Sequence, residues 1–506
     1  MSHILGISSG FHDAAVSVIS SDTGGIVFAG HSERYSKQKN DSHIHPELIE
    51  DAMQWDITSV AYYERPWMHN IQKIRSGQYG LTPWTTTGIL KRELGKNALT
   101  LLNNSSVSCY PHHLSHAAAG FQTSPYSEAA VVVIDAIGEL DTISIYHAEY
   151  DENGEATYKR VWRQRYPHSI GLFYSAITNG IGLKPMEDEY VTMGMAGWGS
   201  DLGAVAMRND FFKDISTGEL RDNLHLGTNK IHFPKYDDTV NSTSSKKENV
   251  AACAQRVAEE AILSVMRRAK EIVGSDNLVY MGGVALNCVA NSRIGAIFPN
   301  VWIMPNPGDA GSSLGAAALA YRKPLQWKTA CLGHEIPGEY PVRDIVDKLV
   351  TDKIVGVASG RAEFGPRALG NRSLLADPRG DEIKDKVNEI KRRQKFRPFA
   401  PAILEEHVHE YFHMPGNFSN STYMQVVARV KNPDAFPAIT HVDGTARVQT
   451  VPDDDSGFRK LLELWYIWTG CPMLLNTSLN IRGEPMVNDR EDANRFEERY
   501  GVTVCS

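Results

Sequence analysis

Residues 129–146, AAVVVIDAIGELDTISIY, hold two apolar runs rich in β-branched residues around a short segment with Gly138 and Asp141, and read as a β-hairpin. Residues 4–20, ILGISSGFHDAAVSVIS, read the same way, with a turn through Ser8, Ser9 and Gly10. Gly10 and Asp13 stand to their strands much as Gly138 and Asp141 stand to theirs, which makes a weak internal repeat. Further along, residues 248–273 space their apolar side chains as a helix that stops at Gly274 and Ser275. A buried strand, NLVYMGG, is expected over 277–283, then a helix over 285–298 entered from a glycine pair, and another over 316–321 after PNPGDAGSSLG. Strands ending in glycine turns that open helices are the grammar of an α/β nucleotide-binding domain.

A chain of 506 residues is long enough for two or three units with their own cores. The pattern breaks over residues 322–339, around Pro324, Gly333, Pro337 and Gly338, so a first domain is expected over 1–325 and a second over 340–506. The strands QVVARV, ARVQTV and PMLLN give the second an α+β character. A net charge of -8 argues against wholesale binding to nucleic acid, and no apolar run is long enough to span a membrane. The first residues lack a basic leader region, so a cytoplasmic location is expected. Six scattered cysteines without a C-x-x-C suggest neither a disulfide framework nor a zinc knuckle.

His112 and His116, in PHHLSHAAAGF, lie four apart, which on a helix puts both imidazoles on one face and lets them share a metal; helix-surface or core histidines give the same spacing. Asp135, after the run VVVI, and Asp309, in a glycine-rich turn, could complete a set of two imidazoles and two carboxylates. Both also suit turn or helix capping. Such a set fits iron, manganese or zinc. Gly282, Gly283 and Gly311 could let backbone N–H groups approach phosphates, or simply form tight turns, and no Walker motif is present. In the second domain Arg361, Arg367, Arg372, Arg379, Lys391, Arg393 and Arg397 form a basic concentration that suits a small polyanion, with solvated charge as the alternative. Arg447, Asn476, Ser478 and Arg482 stand beside the last strands, where Asn and Ser could bind an amide or a phosphate oxygen, or cap turns.

Taken in order, GISSGFHDAAVSVI, PHHLSHAAAGF, VVVIDAIGE, MGGVALN, NPGDAGSSLGAA, SGRAEFGPRALGNRS, FRPFAPAIL, VDGTARVQTV and LLNTSLNIRGEPMV resemble the carbamoyltransferase family of the nodulation NodU proteins and the tobramycin and cephem carbamoyltransferases. The resemblance implies an N-terminal domain of the actin/Hsp70/sugar-kinase superfold, a duplicated ribonuclease-H-like unit, and a C-terminal YrdC-like domain. It implies that the second domain turns carbamoyl phosphate and ATP, with its magnesium, into carbamoyl-adenylate, and that the first transfers the carbamoyl group to a hydroxyl of a small acceptor: an antibiotic, a sugar or a hydroxymethylated nucleotide. By the same resemblance His112, His116, Asp135 and Asp309 are the metal ligands, with iron the favoured ion, and His12 is the catalytic histidine. Arg367, Lys391, Arg397, Arg447, Asn476 and Ser478 bind carbamoyl phosphate and ATP, while Gly282, Gly283, Asn287 and Gly311 bind nucleotide in the transfer domain.

The chain departs from its relatives at Val191 and Thr192, where a lysine is usual before Met-Gly, and at Leu479, where phenylalanine is more frequent. Threonylcarbamoyl transfer to tRNA shares both domain types but fits the negative charge poorly. A sugar kinase or chaperone-like ATPase would leave the histidine pair and the basic segment unexplained. Neither the acceptor nor the oligomeric state is legible in the sequence.

Overall fold

The computed structural model describes residues 2–75, 77, 79–224, 246–394, 397 and 399–506. Strands β1 (His3–Ser8), β2 (Ala15–Ser20), β3 (Ile26–His31), β4 (Ile57–Tyr62) and β5 (Ser106–Cys109) make one sheet in the order β3-β2-β1-β4-β5. β1 pairs antiparallel with β2 and β2 with β3, while β4 and β5 add in parallel. A second sheet repeats the scheme with β6 (Glu128–Gly138), β7 (Asp141–Tyr150), β8 (Ala156–Arg165), Asn277–Met281 and Asn300–Trp302 in the five roles. The likeness of the two hairpins therefore extends to whole sheets, one strand scheme occurring twice in the chain.

β6 is apolar on both sides because both of its faces are covered. Val131 and Val133 join the core around the helices His112–Phe121 and Ser312–Tyr321, which also packs Leu5 and Ile7 of β1. Ala130, Val132 and Ile134 face the opposite core, with the helices Ile170–Gly180 and Lys247–Val273. The long helix closes at Gly274 in the left-handed region, φ 78°.

The expected helix over 285–298 is corrected: the segment breaks into short turns at Gly283–Leu286, Cys288–Asn291 and Ile294–Ala296. Polar side chains take over the backbone there. Asn287 Oδ1 accepts from Ala290 N, and Ser292 Oγ accepts from Val427 N of a distant strand.

The later part of the chain builds a six-stranded mixed sheet in the order Gln449–Val451, Ala400–Leu404, Met473–Ser478, Arg372–Ala376, Ile354–Ala358, Val504–Cys505, with a core on each face. Within residues 322–339 the strand Cys331–Ile336 pairs with Gly360–Glu363, and Leu332 and Phe364 pack into the core beside β1. No helix among the described residues is long and apolar enough to cross a membrane.

Candidate active site

His112 and His116 lie in the first turns of a helix held between the two sheets, and nearly every residue of that helix is buried. Asp135 sits in β6 where its pairing with β7 breaks register between Ile134 and Gly138. Asp309 opens the tight turn Asp309–Gly311 ahead of the helix Ser312–Tyr321. The two helices meet backbone to backbone at Gly315, where an added Cβ would lie 1.7 Å from the Ser115 carbonyl oxygen. Gly315→Ala must push them apart, so we expect a loss of about 1–3 kcal/mol or more in a urea melt, together with weaker metal binding.

All four side chains converge, each with one ligand atom within 4.8 Å of the others. The two Nε2 atoms are 3.0 Å apart; Asp135 Oδ2 lies 3.3 Å from each, and Asp309 Oδ1 lies 3.4 and 3.3 Å from them. Donors about 2.0–2.2 Å from one ion stand roughly 3.0–3.6 Å from their neighbours, so the spacing fits a metal. The hydrogen bonds behind the cluster also fit. His116 Nδ1 donates to the Pro307 carbonyl at 3.0 Å, which leaves its Nε2 lone pair facing the cluster. Asp135 Oδ1 accepts from Ala136 N at 2.8 Å and Gly283 N at 3.3 Å, turning Oδ2 inward. Burial by itself lowers both imidazoles, but Asp135 and Asp309 outweigh it and hold them above their ordinary range. A cluster that attracts protons so strongly is suited to a cation in their place. His113 points away, to Ser144 Oγ at 2.8 Å.

His12 Nδ1 lies 3.1 Å from Asp13 Oδ2, which leaves Nε2 as the nitrogen open to exchange a proton. Burial lowers this imidazole, yet Asp13, with Asp309 and Asp135 behind it, holds it up to about 9. A cation held by Asp135 and Asp309 would offset their part of that pull.

One cavity of about 530 Å³ runs from His12, Asp135 and Asp309 to Arg367, Lys391, Arg397, Arg447, Asn476 and Ser478. The charges acting on its basic wall are largely one another's. Burial lowers Arg367 to about 9, with Arg447 adding to the effect; Lys391 is lowered by burial and by Arg393, Arg397 and Lys39. Such a wall is completed by an anion. Lys391 Nζ donates to Ser478 Oγ at 3.0 Å and to Asn480 Oδ1 at 2.7 Å. Asn476 uses its amide N–H groups on Ala368 O and Gln449 Oε1, and its Oδ1 is buried without a partner.

Several sequence candidates are redistributed. Gly283 and Asn287 line the cavity, whereas Gly282 and Gly311 do not. Their missing side chains make room for backbone, since a Cβ would lie 2.2 Å from Ile134 O and 1.9 Å from Asn306 O respectively. Arg361, Arg372 and Arg379 also leave the basic group. The first two brace backbone carbonyls, such as Val27 O and His334 O, and the third pairs with Asp377. Val191 and Thr192 are buried, Thr192 against Thr178, so the cavity side of the helix Glu189–Ala196 belongs to Glu189, Tyr190, Met193 and Gly194. The sequence reading missed Lys39 and Tyr190, which join the wall from the first half of the chain; Arg397 stacks on the Tyr190 ring at 4.7 Å. No local pattern marks either residue.

Residues 54–318 match the family described as "Carbamoyltransferase N-terminus" and residues 346–505 the family described as "Carbamoyltransferase C-terminus". An uncharacterized protein of Synechocystis is 32% identical, covering 98% of this chain and 94% of that one. Nodulation protein NolNO of Sinorhizobium fredii is 30% identical over 95% of this chain and 76% of its own length. Nodulation protein NolO of Bradyrhizobium diazoefficiens is 32% identical over 76% and 75%. With both halves of the chain matched and the likeness to relatives running nearly end to end, the chain belongs to the carbamoyltransferase family and is a carbamoyl-transfer enzyme.

Proposed function

We propose that the chain is an ATP-dependent O-carbamoyltransferase that works in two steps at the two ends of one cavity. At the basic end, in a domain read as YrdC-like, carbamoyl phosphate, ATP and water become carbamoyl-adenylate, phosphate and pyrophosphate. At the other end a hydroxyl of a small acceptor attacks the carbamoyl carbon, AMP leaves with the bonding electrons, and the hydroxyl proton passes to a base. The observation that carries this reading is the continuity of the cavity from Arg367 and Arg447 to Asp135 and Asp309, which lets a labile anhydride pass from one end to the other without leaving the cavity.

Arg367, Arg397 and Arg447 hold phosphate oxygens, and Lys391 fixes Ser478 beside them. Asn476 Oδ1, a buried acceptor, takes a hydrogen bond from the carbamoyl NH2. His112, His116, Asp135 and Asp309 would hold a divalent ion, with iron favoured, and that ion supplies Lewis acidity when bound. Gly283 and Asn287 lie against the nucleotide on its way through. His12, oriented by Asp13, takes the acceptor's proton in its neutral form, which a bound cation would favour by offsetting Asp135 and Asp309 and which gains population as pH rises toward about 9. His12→Ala is expected to lower transfer by about 10²–10⁴-fold while carbamoyl-phosphate-dependent ATP–pyrophosphate exchange continues, as measured by separate assays of the two steps.

The test is mass spectrometry of a panel of antibiotics, sugars and hydroxymethylated nucleotides incubated with carbamoyl phosphate, ATP and enzyme, with His112→Ala as control. Gain of one carbamoyl group on an acceptor and release of AMP support the reading. Neither event on any acceptor sinks it.

A further inference from the structure

Behind the ligand cluster lies a buried pair that neither step uses. Glu64 lies two residues beyond the end of β4 and is 3% exposed; His69, on the helix Pro66–Arg75, is 6% exposed. Glu64 presents one oxygen to each of two imidazoles: Oε2 is 3.5 Å from His112 Nδ1, and Oε1 is 3.1 Å from His69 Nδ1. A carboxylate can only accept, so both Nδ1 atoms carry hydrogen, and His112 keeps its Nε2 lone pair for the cluster.

We propose that Glu64 is a positioning residue for the metal centre, holding the His112 ring so that Nε2 points at Asp135 and Asp309, with His69 locking Glu64 in place. This inference rests on the metal reading above. Removing a carboxylate from water is costly unless it is hydrogen-bonded, and His69 supplies such a bond with no link of its own to the other ligands. His116 gains the same orientation from a backbone carbonyl, whereas His112, one turn earlier, has Glu64 in that place. A carboxylate partner also makes the imidazole a stronger donor to the ion. The 3.5 Å separation is at the outer edge of hydrogen-bond geometry, so the bond's effect on the ion is what decides the assignment.

The experiment titrates the metal-free chain with Co2+ against a fluorescent chelator while recording the visible spectrum. Glu64→Gln is expected to weaken Co2+ binding by about 10–100-fold and to change the ligand-field bands. His69→Phe, which removes only the lock, should weaken it by about tenfold or less. If Glu64 serves only the fold, Glu64→Gln melts earlier but binds Co2+ with unchanged affinity and spectrum, and the proposal is overturned. Proton NMR of the Co2+-loaded wild type guards against a variant that fails to fold. Two strongly shifted, slowly exchanging imidazole N–H signals, from His112 and His116, support the assignment, and a single slow signal overturns it. Should the wild type bind no Co2+, the metal reading falls and this inference with it. Wild-type binding that Glu64→Gln leaves unaltered removes this inference alone.

Discussion

His116→Ala should abolish most carbamoyl transfer, by about a thousandfold or more, and leave carbamoyl-phosphate-dependent ATP–pyrophosphate exchange close to wild type. His116 is fully buried and shares its Nε2 environment with His112, Asp135 and Asp309. Its loss strips one donor from the set and opens a hole beside two buried carboxylates. Lewis-acid stabilisation is worth several kcal/mol, and roughly 4 kcal/mol corresponds to a factor of about 10³ in rate. In the proposed division the exchange reaction belongs to the basic end of the cavity, whose groups lie on other elements. The measurement pairs a transfer assay with exchange and metal content. Equal loss of both reactions, or full transfer by a metal-free variant, would contradict the two-site division.

Arg367→Gln is expected to act in the opposite sense on the two reactions' order: exchange fails first, by about 10²–10³-fold, and transfer falls with it because no adenylate forms. Losing one charge partner in a buried contact costs about 2–5 kcal/mol, a span of about 30- to 5,000-fold within which that range lies. The same substitution should not destabilise the ligand-free chain. Arg367 is crowded by Arg447 and lowered by burial, so its removal relieves repulsion and the melting temperature holds or rises. Pyrophosphate or ATP should raise the wild-type melting temperature and have much less effect on the variant. A fall in ligand-free stability with exchange intact would mean that Arg367 braces the fold instead of binding an anion.

The helix Lys247–Val273 was legible because its periodicity and its glycine stop are local properties. The segment over 285–298 was misread for a related reason. Its apolar spacing suits a helix, but Ser292 is claimed by a strand more than a hundred residues away, and no local pattern carries that information. The basic stretch shows the same limit. Arg361, Arg372 and Arg379 look like Arg367 in composition, and only packing turns them toward carbonyls or Asp377. Glu64 gave no sequence signal, since a single acidic residue after a strand is ordinary.

By itself the sequence determined the alternation of strands and helices, the repeated hairpin, the one-turn spacing of His112 and His116, and the ordered segments that mark the family. These are short-range facts, written in residue spacing. The tertiary structure alone decided that Asp309 meets His112 and His116, that a bare glycine at 315 lets two helices touch there, and that arginines from residues 346–505 share a cavity with aspartates from residues 54–318. Such convergence depends on how buried faces pack across hundreds of residues, and packing is a property of the whole folded chain.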